Sequence, residues 1–348
     1  MKTAQSSRVG VLLPCRNEAA VIERRLRNLA RLEVAGLEPR LVVVDDHSTD
    51  DTAEVARRAF ELLAGWRTEV ISNQVRPGKN GAIEAGLAHL GGEVDLVVLT
   101  DADVAVDRGA LAVTWAAFAT DSRLGMACAS QRFVRALPED GSCPGEGGAA
   151  LERADEAWDR WTAAVRRLES RTGRLFSVHG QWLAWRADLG LAPTGGVAAD
   201  DVDLMLQVRA SARPRVELLA DARFFEEKPP AGEAYQLQGL RRARAWFQVF
   251  DGRRAPAGLT GLDRLQWWSY ARLPGHLPLL AVAGLLITTC SAAWGFGVLG
   301  AVAVLVLAAL VLCTPLGREW LRTLGLIRRA RRLEREAAMP ESWEMSRE

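Results

Sequence analysis

The chain has 348 residues, of which 49% are hydrophobic and 25% charged. That balance excludes a disordered tail protein, a collagen and a small disulfide scaffold, and its length allows one large domain or two modest ones. Forty-four Lys and Arg against 43 Asp and Glu leave a net charge of +1, so nucleic acid is not an expected partner. Cys15, Cys128, Cys143, Cys290 and Cys313 are scattered without a CxxC pair. They signal neither a disulfide framework nor a zinc site and favour a reducing compartment. The opening MKTAQSSRVG has no apolar run, so no secretory signal is expected.

Val9–Leu13 reads as a buried strand ending at Pro14, and residues 19–34 as a helix with Val21, Ile22, Leu26 and Leu29 on one face. Leu41–Asp46 is a second strand ending in two acids, and Asp50–Leu63 a second helix. Thr68–Ile71, Asn80–Leu90 and Asp95–Leu99 continue as strand, helix and strand, the last running into Asp101-Ala102-Asp103. Strands separated by helices imply an α/β fold with a mostly parallel sheet. Ligands in such sheets lie beyond the carboxyl ends of the strands. Asn17, Glu18, Asp45, Asp46, Asp101 and Asp103 all collect there.

Ser48, Thr49 and Asp50 fit ordinary helix capping. Asp45 and Asp46 fit it less well, because adjacent carboxylates at the end of a buried strand repel and resist desolvation. Asp101 and Asp103, one residue apart, can face one site. Paired hard oxygens with open positions suit Mg²⁺ or Mn²⁺ carrying a diphosphate. No GxGxxG follows the first strand and no GxxxxGK[ST] occurs, which speaks against a dinucleotide dehydrogenase and a P-loop NTPase. Arg76-Pro77-Gly78-Lys79 places a cation before the third helix, where it could meet phosphate or a carboxylate.

Ala136–Ala150 is rich in Gly, Pro and acids and reads as a mobile loop or insertion. Leu151–Arg171 reads as an amphipathic helix with Trp158 and Trp161, followed by His179-Gly180-Gln181 and Arg186. Asp200, Asp201 and Asp203 open another helix, where acids also suit the macrodipole. Gln238-Gly239-Leu240-Arg241-Arg242 lies further on. From Leu273 to Gly317 there is no Asp, Glu, Lys or Arg. Such a run can hold two membrane spans with a turn at Ser291–Gly297. Arg264 and Arg272 before it, and Arg318, Arg322, Arg328 and Arg329 after it, put both flanks in the cytoplasm. Trp246, Trp267, Trp268 and Trp320 would suit the headgroup level. The expected organisation is a catalytic domain over 1–250, an interfacial linker over 251–272, two transmembrane helices over 273–317 and a basic, then polar, cytoplasmic tail over 318–348.

Taken in order, Pro14-x-x-Asn17-Glu18, Asp46, Gly78-Lys79, Asp101-x-Asp103, Gly180 with Arg186, and Asp200-Asp201 resemble a family 2 inverting glycosyltransferase. The resemblance covers about residues 8–250 and implies the GT-A nucleotide-sugar-binding fold, which is Rossmann-like, with the membrane hairpin as an appendage. It implies that Pro14, Asn17, Glu18 and Asp46 contact the nucleotide base. Lys79 would support the diphosphate, and Asp101 and Asp103 would hold a divalent cation, Mg²⁺ or Mn²⁺, and touch the nucleotide. Gly180 and Arg186 would lie near the acceptor end of the sugar pocket. Asp201, with Asp200 beside it, would be the catalytic base. Gln238, Arg241 and Arg242 match the family's QxxRW element, with Arg242 in place of Trp.

The expected activity is transfer of a sugar from a UDP- or GDP-sugar to a hydroxyl of a lipid, lipid-linked or saccharide acceptor. It would be non-processive, at the cytoplasmic face of a cell inner membrane crossed more than once. Two other readings remain open: a sugar-1-phosphate nucleotidyltransferase, although PCRNE lacks that class's glycine loop, and a catalytically silent membrane scaffold.

Overall fold

The computed structural model describes residues 7–146, 152, 157–228, 232–250 and 255–336. Two compact units divide the chain. The first spans Met1–Pro230 with Pro256–Leu259, and the second takes Ala231–Ala255 and the helices after Thr260. Helix 233–250 therefore groups with the apolar helices rather than with the residues before Pro230.

In the first unit, β1 (Ser7–Cys15), α1 (Ile22–Ala30), β2 (Leu37–Asp45), α2 (Thr52–Ala59), β3 (Arg67–Ser72), α3 (Lys79–Leu90) and β4 (Leu96–Thr100) alternate as the hydrophobic pattern requires. There follow β5 (Val104–Val106), α4 (Ala110–Thr120), β6 (Leu124–Val134), α5 (Ala157–Arg171), β7 (Trp182–Arg186), α6 (Asp200–Arg209) and β8 (Arg215–Glu227). The eight strands form one sheet in the order β3-β2-β1-β4-β7-β6-β8-β5. The core of β1, β2 and β4 is Val and Leu at essentially zero exposure, as expected of strands covered on both faces. The β3-β2-β1-β4 half is parallel, but β7 runs antiparallel to both β4 and β6, and β5 antiparallel to β8. The parallel arrangement inferred from alternation thus holds for the first half, and β6–β8 returns to parallel pairing.

Register brings the polar strand ends together. Cys15 pairs with Asp45 and Leu12 with Leu99, while Thr100 pairs with Trp182. Asp46, Asp101 and Gly180 therefore emerge at one edge. Arg186 does not: it pairs with Leu96 at the opposite end of β4, four residues or about 13 Å away at the usual strand rise. Its guanidinium donates to the carbonyls of Phe118, Asp121 and Leu124 at 2.6, 2.9 and 2.8 Å. Arg186 closes the α4–β6 turn and does not line the acceptor end of a sugar pocket.

The segment 136–150 is not a free loop over its described part. Asn28 of α1 donates to the Gly141 carbonyl at 3.1 Å, and Arg31 pairs with Asp140 at 3.2 Å. Gly141 lies so close to α1 that a Cβ there would come within 2.7 Å of the Asn28 nitrogen. Residues 147–150 lie outside the described residues, as do 151 and 153–156 of the expected helix 151–171.

The second unit contains α7 (Glu233–Phe250), α8 (Gly261–Cys313) and α9 (Pro315–Glu336). Helix α9 packs on α7, with Leu326 against Gly239 and an enclosed Arg244–Glu334 ion pair at 3.2 Å. Trp246 sits beside Phe250 and Tyr270, and Trp267 is 7% exposed. These two tryptophans fill an aromatic cluster, while Trp268 and Trp320 remain exposed. Among the described residues one helix, Val282–Cys313, is long and apolar enough to cross a membrane, with mean hydropathy 2.9 and none of it buried. Inside α8, Gly297 leaves helical geometry at φ 67°, a region open to glycine at little cost. A Cβ at Gly300 would meet the Ala292 carbonyl oxygen at 2.4 Å. In an unbroken helix residues eight apart lie about 12 Å apart along the axis, so the backbone departs from a straight helix here.

Asn28 donates to Val106 and Gly141 and accepts from the Val106 amide at 2.9 Å. Asn28→Ala orphans these buried groups and is expected to lower stability by on the order of 3 kcal/mol, readable as a shift in denaturation midpoint at unchanged m-value.

Candidate active site

The loops after β1 and β2 are joined by side chains. Asn17, held at φ 53°, accepts from the Thr49 amide at 2.8 Å, and its own amide donates to Ser48 Oγ at 3.0 Å. The Glu18 amide donates to Thr52 Oγ1 at 2.7 Å, and the Ala19 amide to Asp50 at 3.1 Å. Ser48 and Thr49 thus tie one loop to another, while Asp50 does so through Ala19 and also accepts from the Thr52 amide at 3.1 Å at the start of α2. Pro14 is buried in β1 opposite Val44. Glu18 is 4% exposed.

Asp46 is fully buried, and both its oxygens are engaged. Oδ1 accepts from Asn73 Nδ2 and Oδ2 from the Gly78 amide, each at 2.7 Å. Asn73 also holds the Arg76 carbonyl at 2.5 Å and the Val75 amide at 3.0 Å. This clasp shapes the turn into α3, where Gly78 adopts φ 107°, a conformation that disfavours any side chain. Gly81 lies so close to the Arg76 carbonyl oxygen that a Cβ would meet it at 1.8 Å. The turn presents Lys79 as the first residue of α3. By contrast, Oδ1 of Asp45 is buried with no hydrogen-bond partner.

Lys79 is where the separate strand ends meet. Its Nζ lies 2.8 Å from Asp101 Oδ1 after β4 and 3.5 Å from Asp200 Oδ2 at the start of α6. A Cβ at Gly180 would stand 3.6 Å from both Lys79 Nζ and the Asp201 Cβ. Thus Lys79, Asp101, Gly180, Asp200 and Asp201 share one site. Burial opposes the charge on Lys79, but Asp101, Asp200 and Asp201 together more than offset it and raise its pKa. Asp201 is pushed up to about 6 by burial and by the charge of Asp200, with Lys79 pulling the other way. Its Oδ1 accepts from the Val202 amide at 2.8 Å. Asp203, third of the acids, turns away to the Thr194 amide at 2.8 Å and Gln207 at 3.0 Å. It braces the loop that precedes α6.

Asp103 is exposed beside Asp101. Among the described residues no group of three or more His, Cys, Asp or Glu could hold a metal by itself. The Asp101–Asp103 turn supplies two carboxylates, one of them paired to Lys79 and the other exposed. Gln238, Arg241 and Arg242 lie on α7 in the second unit.

One residue of this region escaped the sequence reading. Arg25 is 1% exposed, with its guanidinium 2.5 Å from Asn28 Oδ1 and 2.6 Å from Thr100 Oγ1. Thr100 in turn donates to the Gln181 carbonyl at 2.7 Å. Arg25 and Asn28 therefore grip both sides of the Asp101–Asp103 turn, at Thr100 before it and Val106 after it. Burial lowers the Arg25 pKa to about 10, countered by the charges of Asp101 and Asp103. The signal was a polar residue on an apolar face: Arg25 stands between Ile22 and Leu26 in helical spacing.

Residues 10–139 match Glycosyl transferase family 2. A glucosyl-3-phosphoglycerate synthase of Mycobacterium tuberculosis is 34% identical over 116 residues, covering 33% of this chain and 35% of that protein. A beta-monoglucosyldiacylglycerol synthase of Nostoc sp. is 36% identical over 103 residues, 28% of this chain and 21% of its own. An undecaprenyl-phosphate 4-deoxy-4-formamido-L-arabinose transferase of Edwardsiella ictaluri is 35% identical over 97 residues, 28% of this chain and 29% of its own. The chain spans about a third or less of the length of these curated relatives. Among solved structures, a mannosyltransferase from Pyrobaculum calidifontis in complex with GDP-Man and Mn²⁺ matches with a TM-score of 0.66 at 26% identity. That match covers 96% of this chain and 88% of the other. Residues 10–139 thus carry the match to a glycosyl transferase family 2 domain, on a GT-A-like fold.

Two outcomes follow from the electrostatics. Asp201→Asn is expected to raise Tm at pH 8, because a carboxylate whose folded pKa exceeds its unfolded value costs stability once ionised. That gain should shrink as pH falls through 6 and vanish only below about 4, where both states become protonated. Arg25→Met is expected to lower stability by on the order of 3 kcal/mol, with chemical denaturation as the measurement.

Proposed function

We propose that this protein transfers a sugar from a nucleoside-diphosphate-sugar to an acceptor hydroxyl with inversion, Asp201 acting as general base. The observation that carries this reading is the convergence of Lys79, Asp101, Asp200 and Asp201 around Gly180. The three steps of such a transfer map onto these groups. Lys79 offers a fixed positive charge to the departing diphosphate, which stabilises the negative charge that develops there. Asp201, poised near neutrality, removes the proton of the attacking hydroxyl. Gly180 leaves open the space between them, so the sugar can be held in line. A divalent ion bound at Asp101 and Asp103 would supply Lewis-acid stabilisation of the leaving group. Asp45, with its unpartnered oxygen, and the Asn17–Glu18 loop are positioned at the strand ends where a nucleoside would lie.

A base poised as Asp201 is favours a hydroxyl over an acceptor phosphate, which is already ionised and needs no deprotonation. An acceptor in or at a bilayer is favoured by the unburied apolar helix. On this reading the chain turns back at Gly297, and both basic flanks stay on the cytoplasmic side. The arm Val298–Cys313 rises about 24 Å at 1.5 Å per residue, a little short of a full hydrocarbon core. Two short arms anchor the catalytic unit but cannot enclose a polysaccharide channel, so single transfers are expected.

The test is a donor panel of UDP- and GDP-sugars on detergent-solubilised protein. Nucleoside diphosphate release with Mn²⁺ or Mg²⁺ is expected, stopping with EDTA. Pyrophosphate release from NTP plus sugar phosphate would instead identify a nucleotidyltransferase. Asp201→Asn should lower turnover by roughly 10²–10⁴-fold while donor affinity stays within a few-fold. The acid limb of wild-type kcat/KM should fall near pH 6, since only the ionised form above that value can accept a proton. A limb near pH 4 would remove Asp201 from the role of base.

A further inference from the structure

Helix α9 carries a charge pattern that the transfer reaction does not use. Its exposed positions include Arg318, Arg322, Arg328, Arg329, Arg332 and Arg335. Arg318, Arg322, Gly325, Arg329 and Arg332 follow at steps of four, three, four and three, which is one continuous stripe of a helix. Arg328 and Arg335 lie directly beside it. The rotation of the helix is fixed from the other side. Ala330 is fully buried, Leu326 meets Gly239, and Glu334 pairs with Arg244. The arginine stripe therefore faces outward because its opposite face is packed.

Glu334 is taken up on the packed side, and Glu336 pairs with Arg332 at 2.7 Å at the far end. The stripe is long and straight: from Arg318 to Arg335 it runs about 26 Å at the helical rise. Cations in a line suit a plane of anions, whereas a small soluble anion is held by groups that converge. The helix also begins two residues beyond Cys313, where the unburied apolar segment ends. Trp320 and Leu321, 44% and 47% exposed, sit in its first turns, where an aromatic and an aliphatic side chain would meet the headgroup layer.

We infer that α9 is a surface for anionic phospholipid headgroups, laid against the leaflet next to the apolar segment. This rests on the membrane reading of the proposed function and adds lipid selectivity to it. Polybasic segments flanking a span are drawn to anionic leaflets, and the attraction decays within a Debye length. An uncharged interfacial helix would show no such preference.

The experiment uses the full chain reconstituted in phosphatidylcholine bilayers doped with spin-labelled phosphatidylglycerol or spin-labelled phosphatidylcholine. Electron paramagnetic resonance reads the fraction of each probe that is motionally restricted by the protein. A several-fold preference for phosphatidylglycerol is expected, falling toward unity in 1 M NaCl. The quadruple variant Arg318→Gln, Arg328→Gln, Arg329→Gln, Arg335→Gln alters only exposed side chains. It should lose the preference while restricting phosphatidylcholine as the wild type does. Equal restriction of the two lipids by the wild type, or a preference that survives in the variant, overturns the inference and leaves the membrane span standing. Absence of restricted lipid of either kind overturns both.

Discussion

The site depends on one ammonium group among carboxylates. Without Lys79, Asp101, Asp200 and Asp201 would repel one another without the cation that stands between them, which favours protonation or rearrangement. With it, their negative charge is partly compensated, and Lys79 pulls the Asp201 pKa down against burial and Asp200, which together hold it up at about 6. The placement of Lys79 is itself built from below. Asp46 grips Asn73 and the Gly78 amide, Gly78 takes a left-handed turn, and α3 starts one residue later. A buried carboxylate thus sets the position of the Lys79 cation.

Arg25 does the same for the opposite wall. Its hydrogen bonds to Thr100 and Asn28 reach both sides of the Asp101–Asp103 turn from inside the protein. The turn is thereby held with two carboxylates toward solvent and a cation behind them. The described part of the 136–150 segment joins this arrangement through Asn28, Gly141 and Cys143, whose Sγ lies 2.7 Å from the Val106 carbonyl oxygen. What composition suggested was a surface loop is a strap across α1.

Several elements could be read directly from residue order. The strands around Val11, Val43 and Val98 are continuous apolar runs between turn residues, and such runs bury whatever their neighbours are. The gathering of Asn17, Asp46 and Asp101 at one sheet edge was legible because carboxyl ends of parallel strands share that edge. Arg186 misled because β7 runs antiparallel, which carries its far end away from Gly180. Direction of a strand is not encoded in its own hydrophobicity. Asp46 and Asp45 were likewise indistinguishable in sequence; only the loop from Asn73 to Gly78, folded over one of them, separates a clamped carboxylate from one with an open oxygen.

By itself, the sequence determined the alternation of the first half, the acid pairs at strand ends, the cation before α3 and the long uncharged stretch, since each is a local pattern of polarity and spacing. Tertiary structure alone decided which acids face Lys79, which brace a loop, and that a buried arginine backs the Asp101–Asp103 turn. The reason is physical: charge interactions and hydrogen bonds depend on distances between residues about 20 to 120 positions apart in the chain. Those distances exist only once the sheet has its register.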